Sequence, residues 1–339
     1  MMRRRAAVGM ALVTTATMLC AAGSGGAATH VRTVAFVTDY NTGAPRIQAI
    51  VRGGRLAARA LGVHFVLGGV KGTSGAGLAM PFFQRFLARG VDAIATEGYD
   101  PQFTPIYKRI QAAGIPLLSA GDDIAGPRDV WVNMSSQPAY AQALADALAS
   151  QLHETGEYAI LEQQDETPTA DRWGRLARSY IAKRYPAMTL AGVVRGTGAG
   201  DPSELASVEH YLTTHPRLKG LIGITPTESF MAAEAIIGTD KVGKVFAADN
   251  GGGDLLPPFP NWVRNGVAEF VYGGDQVKLG YLAVWAANWL LSGHTFRAGA
   301  YQVGGPVGLV WYYARKRELR LGPPLTITKE NVDVYAGKF

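Results

Sequence analysis

The sequence predicts an α/β fold built as two doubly wound, Rossmann-like parallel-sheet lobes. Three observations carry this prediction. Short apolar runs alternate with longer amphipathic stretches, the pattern of repeated βαβ units. The runs are continuously apolar, as strands of a parallel sheet covered on both faces require. The rhythm then restarts after Val132, and a chain of 339 residues has room for a second lobe, since domains commonly span about 100–200 residues. A solenoid is excluded because no sequence period of about 20–50 residues is present.

The first lobe opens with a strand at Val34–Val37 and a polar loop, Thr38–Gly43. A helix follows over Pro45–Leu61, with Ile47, Ile50, Val51 and Leu56 on one face, the recurrence of an amphipathic helix. Strand His64–Leu67 leads through the glycine-rich loop Gly68–Gly77 into helix Leu78–Ala88. Strand Ala93–Thr96, loop Glu97–Pro101 and a helix to Ala113 come next. Gly114-Ile-Pro116 turns the chain into strand Leu117–Ser119, loop Ala120–Pro127 and strand Val130–Val132.

The second lobe begins with helix Gln137–Gln151 and strand Tyr158–Leu161. Loop Glu162–Thr169 and helix Ala170–Tyr185 precede strand Thr189–Val194. Loop Gly196–Pro202 and helix Ser203–His215 precede strand Gly220–Ile224. Thr225–Glu228 opens a helix to Ile237. Strand Lys244–Ala248 ends at Asp249 and Asn250, ahead of the Gly251–Gly253 run, and strand Ala268–Val271 meets a long helix over Asp275–Leu291. In open parallel sheets ligands sit beyond the C-terminal strand ends, at topological switch points. The polar loops after the strands are therefore the candidate site, and two facing sheets would form a cleft.

The N-terminus reads as an export signal. Arg3, Arg4 and Arg5 precede a short apolar run, Ala6–Leu19, and then small residues from Ala21 to Ala28. The run is shorter than the about 20 residues of a membrane span. Cleavage is expected after Ala22 or Ala28, with Ala28 favoured, so residues 1–28 are assigned to the signal and the protein to the periplasm. Cys20 is the only cysteine, and Leu19 before it disfavours lipid attachment. A mature chain without cysteine has no disulfide, thiolate metal site or thiol nucleophile.

Other function classes are disfavoured by the residues themselves. The net charge is +6, but apart from the N-terminus and Arg315-Lys316-Arg317 the cations are dispersed, so no basic stripe for nucleic acid emerges. No Gly-x-Ser-x-Gly elbow is present. The six histidines lack zinc-ligand spacing. Lys71-Gly72-Thr73 lacks the order of a phosphate loop. No enzyme activity, metal or cofactor is expected.

Five segments, in order, carry a resemblance: Gly90-Val-Asp-Ala-Ile94 followed by Asp100-Pro101, Ala113-Gly-Ile-Pro-Leu-Leu118, Pro216-Arg-Leu-Lys-Gly220, Asp275–Tyr281 with Gly280, and Thr328-Lys-Glu-Asn-Val-Asp333. Together they resemble type I periplasmic binding proteins of ABC transporters, in the ribose-, rhamnose- and furanosyl-autoinducer-binding group. The resemblance implies two lobes joined by a three-segment hinge, near Val132–Ser135, Val271–Gly274 and Ala298–Gly304. Lobe 1 is then expected at 29–133 plus 273–299, and lobe 2 at 134–272 plus 300–339.

It also implies a site. Asp39, Tyr40 and Asn41 follow the first strand, where the family places a pocket loop. Asp122 and Asp123 occupy a loop with an acidic ligand contact in the family, shifted one and two positions past Gly121. Arg172 and Trp173 match an arginine and a nearby tryptophan of related groups, and Pro226 matches a pocket proline, with Glu228 close by. Asp249 falls at a regular acidic ligand position, beside Asn250, whereas Gly274 stands where many relatives carry glutamine. Each also has a local reading as a cap, turn or core residue. The implied ligand is a small polar solute, a pentose, deoxyhexose or furanosyl signal. The implied partner is an ABC permease or, alternatively, a periplasmic sensor domain of a receptor kinase or chemoreceptor; neighbouring genes would separate the two.

Overall fold

The computed structural model describes residues 30–98, 100–124, 126–164, 168–198, 200–251 and 258–336. The signal peptide expected at 1–28 lies outside the described residues, as do Gly252 and Gly253. The first module runs β1 (Thr33–Val37), α1 (Pro45–Leu61), β2 (His64–Gly68), α2 (Ala76–Arg89), β3 (Ala93–Thr96), α3 (Thr104–Ala112), β4 (Leu117–Ala120) and β5 (Val130–Asn133). The second runs α4 (Gln137–Gln151), β6 (Gly156–Gln163), α5 (Pro168–Arg184), β7 (Met188–Gly196), α6 (Pro202–Thr214), β8 (Leu218–Gly223), α7 (Pro226–Gly238), β9 (Phe246–Asn250), α8 (Phe259–Arg264) and β10 (Ala268–Tyr272). The chain ends with α9 (Gln276–Leu291), β11 (Gly299–Gly304), β12 (Gly308–Tyr313), β13 (Glu318–Arg320), β14 (Leu325–Ile327) and α10 (Val332–Tyr335).

Two sheets result. The first has the order β11-β12-β13-β5-β4-β3-β1-β2, and the second β14-β10-β9-β8-β6-β7. Pairing from β13 through β5 to β2 is parallel, as it is from β10 to β7; β11, β12 and β14 add antiparallel edges. The α/β prediction with two doubly wound parallel sheets is thus met, and helices cover both faces. One core of the first lobe joins α1 and α9 to β1, and the other joins α2 and α3 to the opposite face.

The chain crosses between sheets three times, at 134–136, 273–275 and 321–324. The third crossing was expected at 298–304, and the structure corrects it. Residues 299–320 stay with the first sheet because Val303, Val310, Tyr312 and Leu319 bury their side chains in its core. That also corrects the assignment of this stretch to lobe 2; only from β14 onward does the tail join the second sheet. The first and third crossings run side by side, with Leu321 N–H donating to Asn133 C=O at 2.9 Å and Gly322 N–H to Met134 C=O at 3.1 Å.

The α1 face also differs from expectation. Leu56 is 41% exposed, and Gly53, Gly54 and Ala57 are buried with Ile47, Ile50 and Val51. Small residues are needed because α9 lies against the α1 backbone. A Cβ on Gly53 would stand 1.9 Å from Val277 O, and one on Gly280 would stand 1.9 Å from Ile50 O. The Gly280 that carries part of the family resemblance therefore has a steric reason.

Candidate ligand-binding site

The C-terminal ends of the parallel strands of both lobes open onto one cavity of about 420 Å³. From the first lobe come Tyr40 after β1, Arg46 in the first turn of α1, Glu97 after β3 and Asp122 after β4. From the second come Gln163, Thr169, Trp173, Thr225, Pro226 and Asn250. Asn133, Met134, Tyr272 and Gln276 line it at the crossings.

The first-lobe wall is an ionic chain. Glu97 is 2% exposed. It accepts from Arg46 Nη1 at 3.0 Å and Nη2 at 3.3 Å, and from Thr38 Oγ1 at 2.8 Å. The Arg46 guanidinium lies 4.6 Å from the Tyr40 ring centroid, a cation–π contact. Burial alone would lower the Arg46 pKa, but Glu97, Tyr40 and Asp122 together outweigh it and the net shift is upward. Burial raises the Asp122 pKa, opposed by Arg46 and assisted by Glu97, while the Thr169 hydroxyl of the other lobe holds it down. Trp131 Nε1 fixes the loop before Asp122 by donating to Gly121 C=O at 2.7 Å.

The second-lobe wall is aromatic and amide-rich. Trp173 packs on Tyr140 at 4.4 Å between ring centroids, and Tyr140 Oη donates to Val271 C=O at 2.9 Å. Gln163 Nε2 donates to Thr225 Oγ1 at 3.0 Å and to Glu228 Oε2 at 3.3 Å. Glu228, 2% exposed, sits behind this wall, with its pKa raised by burial. Asn250 Nδ2 donates to Ile224 C=O at 2.8 Å. Among the described residues, Trp173 Nε1 and Gln276 Oε1 are buried without a hydrogen-bond partner. The site thus offers one unused donor and one unused acceptor beside a flat ring face and an ionic wall.

Of the residues expected from sequence, Tyr40, Asp122, Trp173, Pro226 and Asn250 share this cavity. Five others do not line it. Asp39 lies behind Tyr40, its Oδ1 without a partner among the described residues, and burial pushes its pKa up to about 6. Asn41 Oδ1 accepts from Gly43 N–H at 2.8 Å and Gly72 N–H at 2.7 Å, stapling two loops together. Asp123 is held by Arg128, with Nη2 at 2.6 Å from Oδ2. Arg172 faces a neighbouring hollow. Asp249 is fully buried, its Oδ1 accepting from Gly223 N–H at 2.8 Å, and burial raises its pKa well above the carboxylate range. Strand alternation explains this shift of one residue: Asn250 faces the cavity, so Asp249 faces the core.

Arg46, Glu97, Gln163, Tyr140, Tyr272 and Gln276 were not anticipated as site residues. Glu97 and Gln163 obey the strand-tip rule already applied and were within reach of it. Arg46 sits inside a helix, and nothing local pairs it with Glu97. Gly274 packs against Met134, where a Cβ would stand 3.0 Å from the Met134 Cβ, and Gln276 supplies a cleft amide instead.

The chain matches the family model described as a periplasmic binding protein domain over residues 34–295. Among curated proteins none matches. A solved structure of a sugar ABC transporter from Actinomyces odontolyticus superposes with a TM-score of 0.78 at 21% identity, covering 90% of this chain and 97% of that one. An ABC transporter solute-binding protein from Clostridium phytofermentas with bound L-rhamnose gives 0.74 at 22%, covering 91% and 99%. One from Burkholderia graminis in complex with D-arabinose gives 0.69 at 22%, covering 90% and 98%. At these identities the likeness concerns the fold.

Proposed function

The chain belongs to the periplasmic binding protein family, and on that premise we propose that it is an exported solute-binding protein. It closes two lobes around a sugar or sugar-like molecule in the periplasm and presents it to an ABC-transporter permease, with no chemical step. One observation carries the reading: a single cavity joins an ionic wall from one lobe to an aromatic and amide wall from the other. A sugar needs both, because its hydroxyls demand hydrogen bonds and its C–H face suits a ring. The volume suits such a solute, small-molecule sites being about 300–1,000 Å³. Rhamnose and arabinose in the similar structures support a pentose or deoxyhexose, and a furanosyl signal fits the same groups. A ligand touching both walls favours the closed arrangement over the open one.

A thermal-shift screen of pentoses, deoxyhexoses and furanosyl compounds tests this. A true ligand at about 100 times its Kd stabilises the protein by about 2.7 kcal/mol. No stabilisation by any sugar class, with a folded protein confirmed by circular dichroism, would remove the sugar reading.

A further inference from the structure

The run Arg315-Lys316-Arg317 takes no part in the cleft. It closes one side of a second hollow, of about 550 Å³. That hollow shares Trp131, Asn133 and Gln137 with the cleft, so the two adjoin. Both lobes shape it, since Arg172 reaches it from α5 and the other cations come from the first lobe.

Its charge is unbalanced. Two carboxylates, Asp123 and Glu318, face the hollow, and each is already held within the first lobe. Arg128 Nη2 lies 2.6 Å from Asp123 Oδ2, and Arg320 holds Glu318 at 2.8 and 3.0 Å. Glu318 also accepts from Asn133 Nδ2 at 2.7 Å. Arg317 Nη1 donates to the Arg128 carbonyl at 3.0 Å, a neutral acceptor. Among the described residues, Arg172, Arg315 and Lys316 form no ion pair. Unpaired cations around a concave wall focus a positive potential and concentrate anions. Guanidinium forks match phosphate, sulfate and carboxylate oxygens bidentately.

We infer that the ligand carries an anionic group, a phosphate, sulfate or carboxylate borne on the sugar, which seats between Arg172 of one lobe and residues 315–317 of the other. This rests on the sugar-binding reading above and narrows it, because a neutral aldose would leave these cations unused. A small anion suits the place because the hollow adjoins the ligand cavity and its cations come from both lobes. An anion touching both lobes would also favour closure.

Calorimetric titration of the purified protein with matched pairs decides it: ribose and ribose 5-phosphate, arabinose and arabinose 5-phosphate, galactose and galacturonate, with inorganic phosphate and sulfate alone. The anionic member of at least one pair is expected to bind about tenfold tighter than its neutral partner. That preference should shrink as salt rises from about 0.05 to 0.5 M. Arg172→Gln, and separately the pair Arg315→Gln with Lys316→Gln, should abolish the preference; the latter pair should leave neutral-sugar affinity within about twofold. Equal affinity within every pair overturns the inference and leaves sugar binding standing. No binding of any sugar, neutral or anionic, overturns both. Phosphate alone binding as tightly as a sugar phosphate would mean an adventitious ion only. Variants unchanged toward every pair, yet impaired in capture by permease-containing membranes, would mean a protein-docking surface; either of these last results also overturns the inference.

Discussion

Asp122 and Asp39 follow strands β4 and β1 of the first lobe but have different uses. Asp122 lines the cavity and feels the Arg46 charge, so on the proposed function Asp122→Ala removes a ligand acceptor and leaves the guanidinium with one less counter-charge. The expected loss is about 2 kcal/mol of binding, on the order of thirtyfold in Kd, read by calorimetry with the sugar that the screen identifies. Asp39 is expected to affect stability instead. Its carboxyl is raised by burial from 3.8 to about 6, so the folded state keeps a proton that the unfolded chain releases. Its contribution is present below pH 4 and lost as the pH rises through 6. Urea midpoints of the wild type should therefore fall relative to Asp39→Asn over that window, and parallel curves would refute the assignment. Of the residues expected at the strand tips, Tyr40, Asp122 and Asn250 line the cavity, whereas Asp39 and Asp249 do not, because a loop's polar character does not say which side chain turns outward.

At the scale of elements, α1 and α9 are separated by most of the chain and still pack backbone to backbone. Gly280→Ala would drive a methyl into Ile50 O. Overpacking of this kind typically costs about 1–3 kcal/mol, and more where backbone is the obstacle, measurable by denaturant unfolding. An unchanged midpoint would show that the helices separate freely. Asp275 supports the same helix from its end, its Oδ1 accepting from Val277 N–H at 2.8 Å and Lys278 N–H at 3.3 Å. Asp275→Ala should cost about 1 kcal/mol. The helices and parallel strands were legible because their periodicity is local. The β11–β12 hairpin and β13 were not read, since a strand as short as 318–320 leaves few residues in which a pattern can show.

For the whole molecule, the proposed function makes the ligand bias two lobes that turn about three crossings. Thr169 and Asp122 face each other across the cleft, and their interaction lowers the Asp122 pKa. Thr169→Val removes it while keeping a side chain of similar shape in the second-lobe wall. Because closure is part of the binding equilibrium, apparent Kd should rise about three- to tenfold, the worth of a hydrogen bond of about 1 kcal/mol. Small-angle scattering should show the wild type becoming more compact on adding ligand, and the variant needing more ligand for the same change. A variant with unaltered Kd would separate this contact from closure.

The sequence by itself determined the class of fold, the two-lobe repeat and the strand ends that open onto the cavity, because apolar periodicity and strand-to-loop succession are local properties of the chain. Only the tertiary structure decided which side chains share the cavity, where the third crossing lies, and that Arg46 pairs with Glu97 while Arg172 and residues 315–317 line one hollow. Those juxtapositions join positions far apart in the chain, and they follow from how packed helices and sheets bring distant segments together, which no short window of residues encodes.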